Sequence, residues 1–190
     1  IRVSGEQTAP LVEGNTIISL QGNAFRLWNC HKDTSVVQNA IQRCTSGIVA
    51  TDCSACTFSS NRIEDCSNPP IIVEGAGSRP LVLRNEISNT PQQFGIAIGE
   101  GVTASVAHNT VTTCKGGILM LGSGSLMHNR IDNCSETSIC LDRSTDGCLV
   151  SGNDLQSNGL CVLVQGSSGI MLENNNISDS LEGVKVLQSH

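Results

Sequence analysis

The amino-acid sequence predicts an all-β fold: a single-stranded right-handed parallel β-helix of about eight coils with three short parallel sheets. Three observations predict it. An asparagine recurs as Asn15, Asn39, Asn61, Asn85, Asn109, Asn129, Asn153 and Asn175, at spacings of 24, 22, 24, 24, 20, 24 and 22 residues. Two residues after each comes an aliphatic side chain (Ile17, Ile41, Ile63, Ile87, Val111, Ile131, Leu155, Ile177), and three before comes an apolar one (Val12, Val36, Phe58, Val82, Val106, Leu126, Val150, Leu172). Aromatic residues are scarce, with one Trp, three Phe and no Tyr, so the core must be built from Ile, Val, Leu and small side chains.

Each coil then divides into elements in a fixed order. A short strand leads into the Asn, as in Leu81 to Leu83, and a second follows it, as in Glu86 to Ser88. A third comes later in the coil, in segments such as "GIAIGEG" at 95–101, "GILMLGSG" at 117–124 and "GVKVL" at 183–187. The β-branched content and the Gly, Asn and Ser punctuation make a helical solenoid a poor candidate. A leucine-rich repeat shares the period but requires a longer Leu consensus in every unit. Parallel crossovers favour the right-handed turn. Eight coils at about 4.8 Å each give a rod roughly 38 Å long. The Asn is expected at the bend between two sheets. There it would take the left-handed backbone conformation itself, with its side-chain amide stacked in a ladder.

Ten cysteines suggest a disulfide framework until their positions are compared. Cys44, Cys66, Cys114 and Cys134 all lie five residues after the Asn, and Cys56 and Cys148 five before it. Such columns read as packing positions filled by reduced, buried thiols, which fits a cytoplasmic protein. The "CSAC" at 53–56 has no second pair for zinc and no strand–helix context for thioredoxin-like chemistry, so it too reads as packing. No metal site and no cofactor are expected.

The formal charge is -6, without a basic cluster to neutralise phosphates, which argues against nucleic acid. No apolar run approaches membrane-spanning length. The chain begins with Ile1 rather than Met and reads as one solenoid domain over 1–190, a piece of a longer protein.

The Asn-x-Ile-x-x-Cys units and the "GI" strands that follow them, as from Asn109 to Ile118, resemble the parallel β-helix repeats of the pectin-lyase-like superfamily. More narrowly they resemble its carbohydrate-binding and sugar-hydrolysis type domain, which also occurs in periplasmic copper-delivery proteins, F-box proteins and the SHC SH2-domain-binding protein. The resemblance covers about residues 10–187 and specifies fold more than function. It implies that hydrolase members carry aspartate motifs of the N-T-D, D-D, G-H-G and R-x-K kind, none of which occurs here. Asp142, Asp146 and Asp154 are the nearest acidic group, and Glu64 and Asp132 share a column three coils apart. Trp28 is the one candidate sugar platform and is expected to cover an edge of the first coil.

The expected function is therefore a non-catalytic protein-interaction scaffold of a larger cytoplasmic protein. The alternative is a polysaccharide-binding or polysaccharide-degrading domain. The residue before each Asn faces outward, and Arg84, His108 and His128 fall there on three consecutive coils. They form a candidate binding strip for an acidic or phosphorylated partner. Self-association, end to end or through edge strands, is a further expectation.

Overall fold

The computed structural model describes residues 1–5, 9–30, 33–144 and 147–187. It contains 23 strands, and every strand pairing is parallel. The first face is an eight-stranded sheet running from Leu11–Glu13 to Ile170–Glu173. The second and third faces are joined by hydrogen bonding into one bent sheet of fifteen strands. The strands Glu86–Ile98 and Thr110–Met120 run through the bend and belong to both. Elsewhere a turn separates them, so the three faces expected from the sequence form two hydrogen-bonded sheets.

Register puts equivalent residues of successive coils one above another. Val36, Phe58, Val82, Val106, Leu126 and Val150 stack on the first face and are fully buried. Ile41, Ile63, Ile87, Val111, Ile131 and Leu155 stack opposite them. Ile48, Ile71, Ile96, Ile118 and Ile139 close the core from the third face. Period-2 alternation sends each strand's intervening side chains outward.

The asparagines form an unbroken ladder from Asn15 to Asn175. Asn109 Oδ1 accepts from the Asn85 backbone N–H and from Asn85 Nδ2, both at 2.9 Å. Asn109 in turn donates its backbone N–H and its Nδ2 to Asn129 Oδ1, each at 3.0 Å, and its Nδ2 also reaches the Val82 carbonyl at 2.9 Å. The same pattern repeats at the other rungs.

The asparagine is not the left-handed residue. Positive φ falls on the residue before it: Gly14, Gln38, Ser60, Arg84, His108, His128, Gly152 and Asn174, with φ between 53° and 68°. That conformation turns the corner and swings the next side chain, the Asn, into the interior, where six of the eight are buried. A second left-handed column lies four residues after the Asn, from Ser19 through Asp179. The residue it turns inward is the cysteine column. Asn158 occupies this slot in the seventh coil, and its Oδ1 takes the Cys134 N–H at 2.9 Å.

Replacing Asn109 by Ala strands the Asn85 amide donors and the Val82 carbonyl in a dry interior, and should cost about 2–4 kcal/mol. Asn15 is half-buried at the end of the ladder, and Asn15→Ala should cost about 1 kcal/mol. Urea denaturation followed by circular dichroism checks the order. Equal losses at the two sites would mean that the ladder does not carry stability.

Candidate functional site

The strip Arg84, His108 and His128 is exposed, and all three residues occupy the left-handed corner between the first and second faces. The two imidazoles stack, with centroids 5.2 Å apart and planes inclined by 20°. The next residue along the ridge is Gly152, where a Cβ would come within 2.5 Å of His128 Nδ1. The histidines thus pack along a turn ridge and cover a glycine. Arg84 makes no ion pair among the described residues.

The acids are dispersed. Ser88 and Thr112 stand between Glu64 and Asp132 in their column. Glu64 is held by Arg62 at 2.6 Å and Asp132 by Arg130 at 3.7 Å. Asp154 shares Arg130, also at 3.7 Å, and accepts from Asn176 Nδ2 at 2.9 Å. Asp142 lies on the third face beside Arg143, at 3.6 Å, which also reaches Glu100 at 4.0 Å. Asp146 lies outside the described residues. Asp142 and Asp154 are on different faces, so the group suggested by sequence proximity does not assemble.

The third face presents a different arrangement at its first coils. The strands Arg2–Gly5 and Phe25–Cys30 pair with Arg2 opposite Arg26 and Ser4 opposite Trp28, and Trp28 in turn lies opposite Thr51. These five side chains line an open groove of about 410 Å³. Trp28 is 57% exposed and stands on the outer surface rather than over the end of the first coil. Neither arginine has an acidic partner among the described residues. Two unpaired guanidinium groups one strand apart repel each other, and an anion between them relieves that repulsion. The Arg26 column continues as Val49, Ile72, Ala97, Leu119, Cys140 and Leu163, an apolar stripe that is half-buried and ends at Lys185. Arg2 precedes the first Asn-anchored unit, so alignment on the asparagines does not bring it beside Arg26.

All ten cysteines are free thiols, and all but Cys140 are buried. Burial pushes Cys66, Cys134 and Cys148 up to about 12. Cys140 is raised to about 11 by burial and by Asp142. Among the described residues no group of three or more His, Cys, Asp or Glu is placed to hold a metal ion, and no helix is long and apolar enough to cross a membrane.

The family model for the right-handed beta helix region matches residues 1–135 and 116–190. A crystal structure of a mutant of the periplasmic alginate epimerase AlgG superposes with a TM-score of 0.51 at 14% sequence identity. The superposition covers 86% of this chain and 47% of that one, so the chain spans about half the epimerase's length. No curated protein matches the sequence.

In the folded protein a bulky maleimide should label Cys140 first, and the remaining thiols only on denaturation. Mass mapping of the labelled peptides checks this. Early labelling of Cys66 or Cys134 would show that the second corner opens to solvent.

Proposed function

The chain belongs to the right-handed β-helix family, and from that premise we propose that it is a non-catalytic binding module whose third face takes an acidic polysaccharide. The carrying observation is the juxtaposition of Trp28 with Arg2 and Arg26, which have no acidic partner among the described residues, in one open groove. An exposed indole offers an apolar plane for the C–H face of a sugar ring. Guanidinium groups bind carboxylates with paired, charge-assisted hydrogen bonds. Ser4 and Thr51 add hydroxyls at the rim. The structural neighbour is named for its action on alginate, a polyuronate, which accords with a ligand of this charge. Binding is favoured over hydrolysis because Glu64, Asp132, Asp142 and Asp154 each lie against an arginine, and none of them lines this groove.

A second reading, a scaffold that recognises an acidic protein segment, is favoured by the exposed and unpaired Arg84 beside His108 and His128. The two readings use different faces of the solenoid.

Trp28 is the sole tryptophan and there is no tyrosine, so intrinsic fluorescence reports directly on the groove. Titration with tetra-uronate oligosaccharides should quench or shift it, and the effect should weaken as salt rises. Replacing Arg2 and Arg26 by Ala should weaken binding by about tenfold or more. Trp28→Ala should do the same by calorimetry. A fluorescence signal indifferent to oligouronate at millimolar concentration would sink the glycan reading. A polyglutamate peptide that binds the unmodified domain, but not a variant with Arg84→Ala, His108→Gln and His128→Gln, would establish the second reading instead.

A further inference from the structure

The outward side chains of the second face carry a charge order that no single coil shows. In the column one residue after the Asn, Arg62, Glu86, Thr110, Arg130 and Asp154 stand on five successive coils. Outward from Thr110 the signs on one side are the reverse of those on the other. Glu86 and Arg130 lie one coil away, Arg62 and Asp154 two coils away. The next outward column has Thr112 level with Thr110, Ser88 and Glu64 on one side of it, and Asp132 and Gln156 on the other. The left-handed corner column beyond repeats the reversal three coils from the centre, with Arg43 toward one end and Asp179 toward the other. Carboxylates of that corner lean over the face: Gln42 Nε2 donates to Asp65 at 3.1 Å and Gln156 Nε2 to Asp179 at 3.3 Å. Glu86 and Arg43 are exposed and make no ion pair among the described residues.

We propose that this face is the contact of a two-fold dimer, in which a second copy of this chain lies antiparallel across it with the axis through Thr110 and Thr112. A two-fold contact requires a surface complementary to itself. An axis there sets Glu86 against Arg130 of the opposing copy, Arg62 against Asp154 and Arg43 against Asp179, each pair made twice. Glu64 then faces Gln156, and Asp132 faces Ser88, so no two like charges are opposed. Arg62 and Arg130 keep their intrachain carboxylates, because a guanidinium has donors for more than one partner. A hollow of about 210 Å³ lined by Arg62, Glu86 and Thr110 lies where the opposing Arg130 enters.

The register is selective. Moving the axis by half a coil sets Arg62 on Arg130 in one direction and Glu86 on Asp154 in the other. Moving it by a whole coil sets Glu86 or Arg130 on itself. A parallel pair about an axis along the central column sets Glu64 on Glu64 and Asp132 on Asp132. The face holds more carboxylates than arginines, so two copies attract only where each opposed charge meets its opposite. Seven coils at about 4.8 Å and a width of about five residues give roughly 570 Å² per copy, about 1,100 Å² in all. That is enough for a specific contact and small enough, for so polar a face, to make it weak and reversible. The Trp28 groove is on the third face and stays open in both copies.

Sedimentation of the 190-residue chain over a concentration series reaching millimolar should show a reversible shift from the 19.9 kDa monomer toward a dimer. Glu86→Arg and Arg130→Glu should each weaken self-association at least about tenfold, since each sets like charge on like charge twice per dimer. Mixed in equal amounts the two variants should recover it, because reversed then faces reversed and native faces native. Circular dichroism melting checks that each variant folds. Should either not fold, Arg43→Glu and Asp179→Arg supply the same crossed test at the outer pair. A chain that stays monomeric to millimolar concentration overturns the proposal. So does a dimer indifferent to the single variants, or a mixture that associates no better than either variant alone.

Discussion

The structure depends on a two-residue device at each corner: a residue held at positive φ, followed by a residue turned inward to hydrogen-bond along the stack. A non-glycine residue in the left-handed region costs roughly 1–2 kcal/mol, and that cost is accepted at seventeen non-glycine positions among the described residues. In the Asn column what offsets it is the amide that follows. From Asn39 to Asn175 each Asn Oδ1 receives two donors from the coil before it, so backbone N–H groups that a turn would leave unpaired are satisfied inside the protein. The ladder also fixes the register. A slip of one residue would remove every rung and reverse the faces of the adjoining strands.

With register fixed, the outer surface becomes a set of columns, and chemistry arises where a column departs from its neighbours. One outward column of the third face is an apolar or small-residue stripe from Val49 to Leu163. At one end it changes to Arg26 and Arg2, with Trp28 and Ser4 in the adjoining column. A flat sheet has no cleft to exclude water, so such a site suits binding through a plane and paired charges rather than acid–base chemistry between opposed groups. The charged residues beside the Asn column behave differently. Arg62 with Glu64, and Arg130 with Asp132 and Asp154, form exposed pairs that neutralise one another and contribute little to stability.

The inward slot of the corner tolerates several chemistries. Asn, Cys, Thr and Ser all appear in it, because the slot needs a small side chain more than a particular donor. Most thiols in it are inert, raised by burial and stacked one per coil. The corner between the third and first faces holds buried thiols as well, Cys30 and Cys53 on successive coils, each hydrogen-bonded to a backbone carbonyl.

The repeat itself was legible in the sequence. The eight asparagines and their flanking apolar residues determined the solenoid, its period, the buried columns of Val82, Ile87, Val106, Val111, Leu126 and Ile131, and the amide ladder, because each depends on spacing along the chain. Which residue bends the backbone was not legible: Gly14, Gly152 and Asn174 suit positive φ, but Arg, His, Gln and Ser precede the other asparagines with no such preference, and the hydrogen bonds of the finished ladder impose that conformation on them. The strip of Arg84, His108 and His128 was placed on one ridge by the repeat, but the stacking of the imidazoles above Gly152 came from packing. Arg2 beside Arg26 and Trp28 on the outer face were decided by tertiary structure alone. These contacts join successive coils through the third strand, whose distance from the Asn changes with the length of the intervening turn, so the alignment that reveals the repeat blurs there and only the hydrogen-bonded stack restores the register.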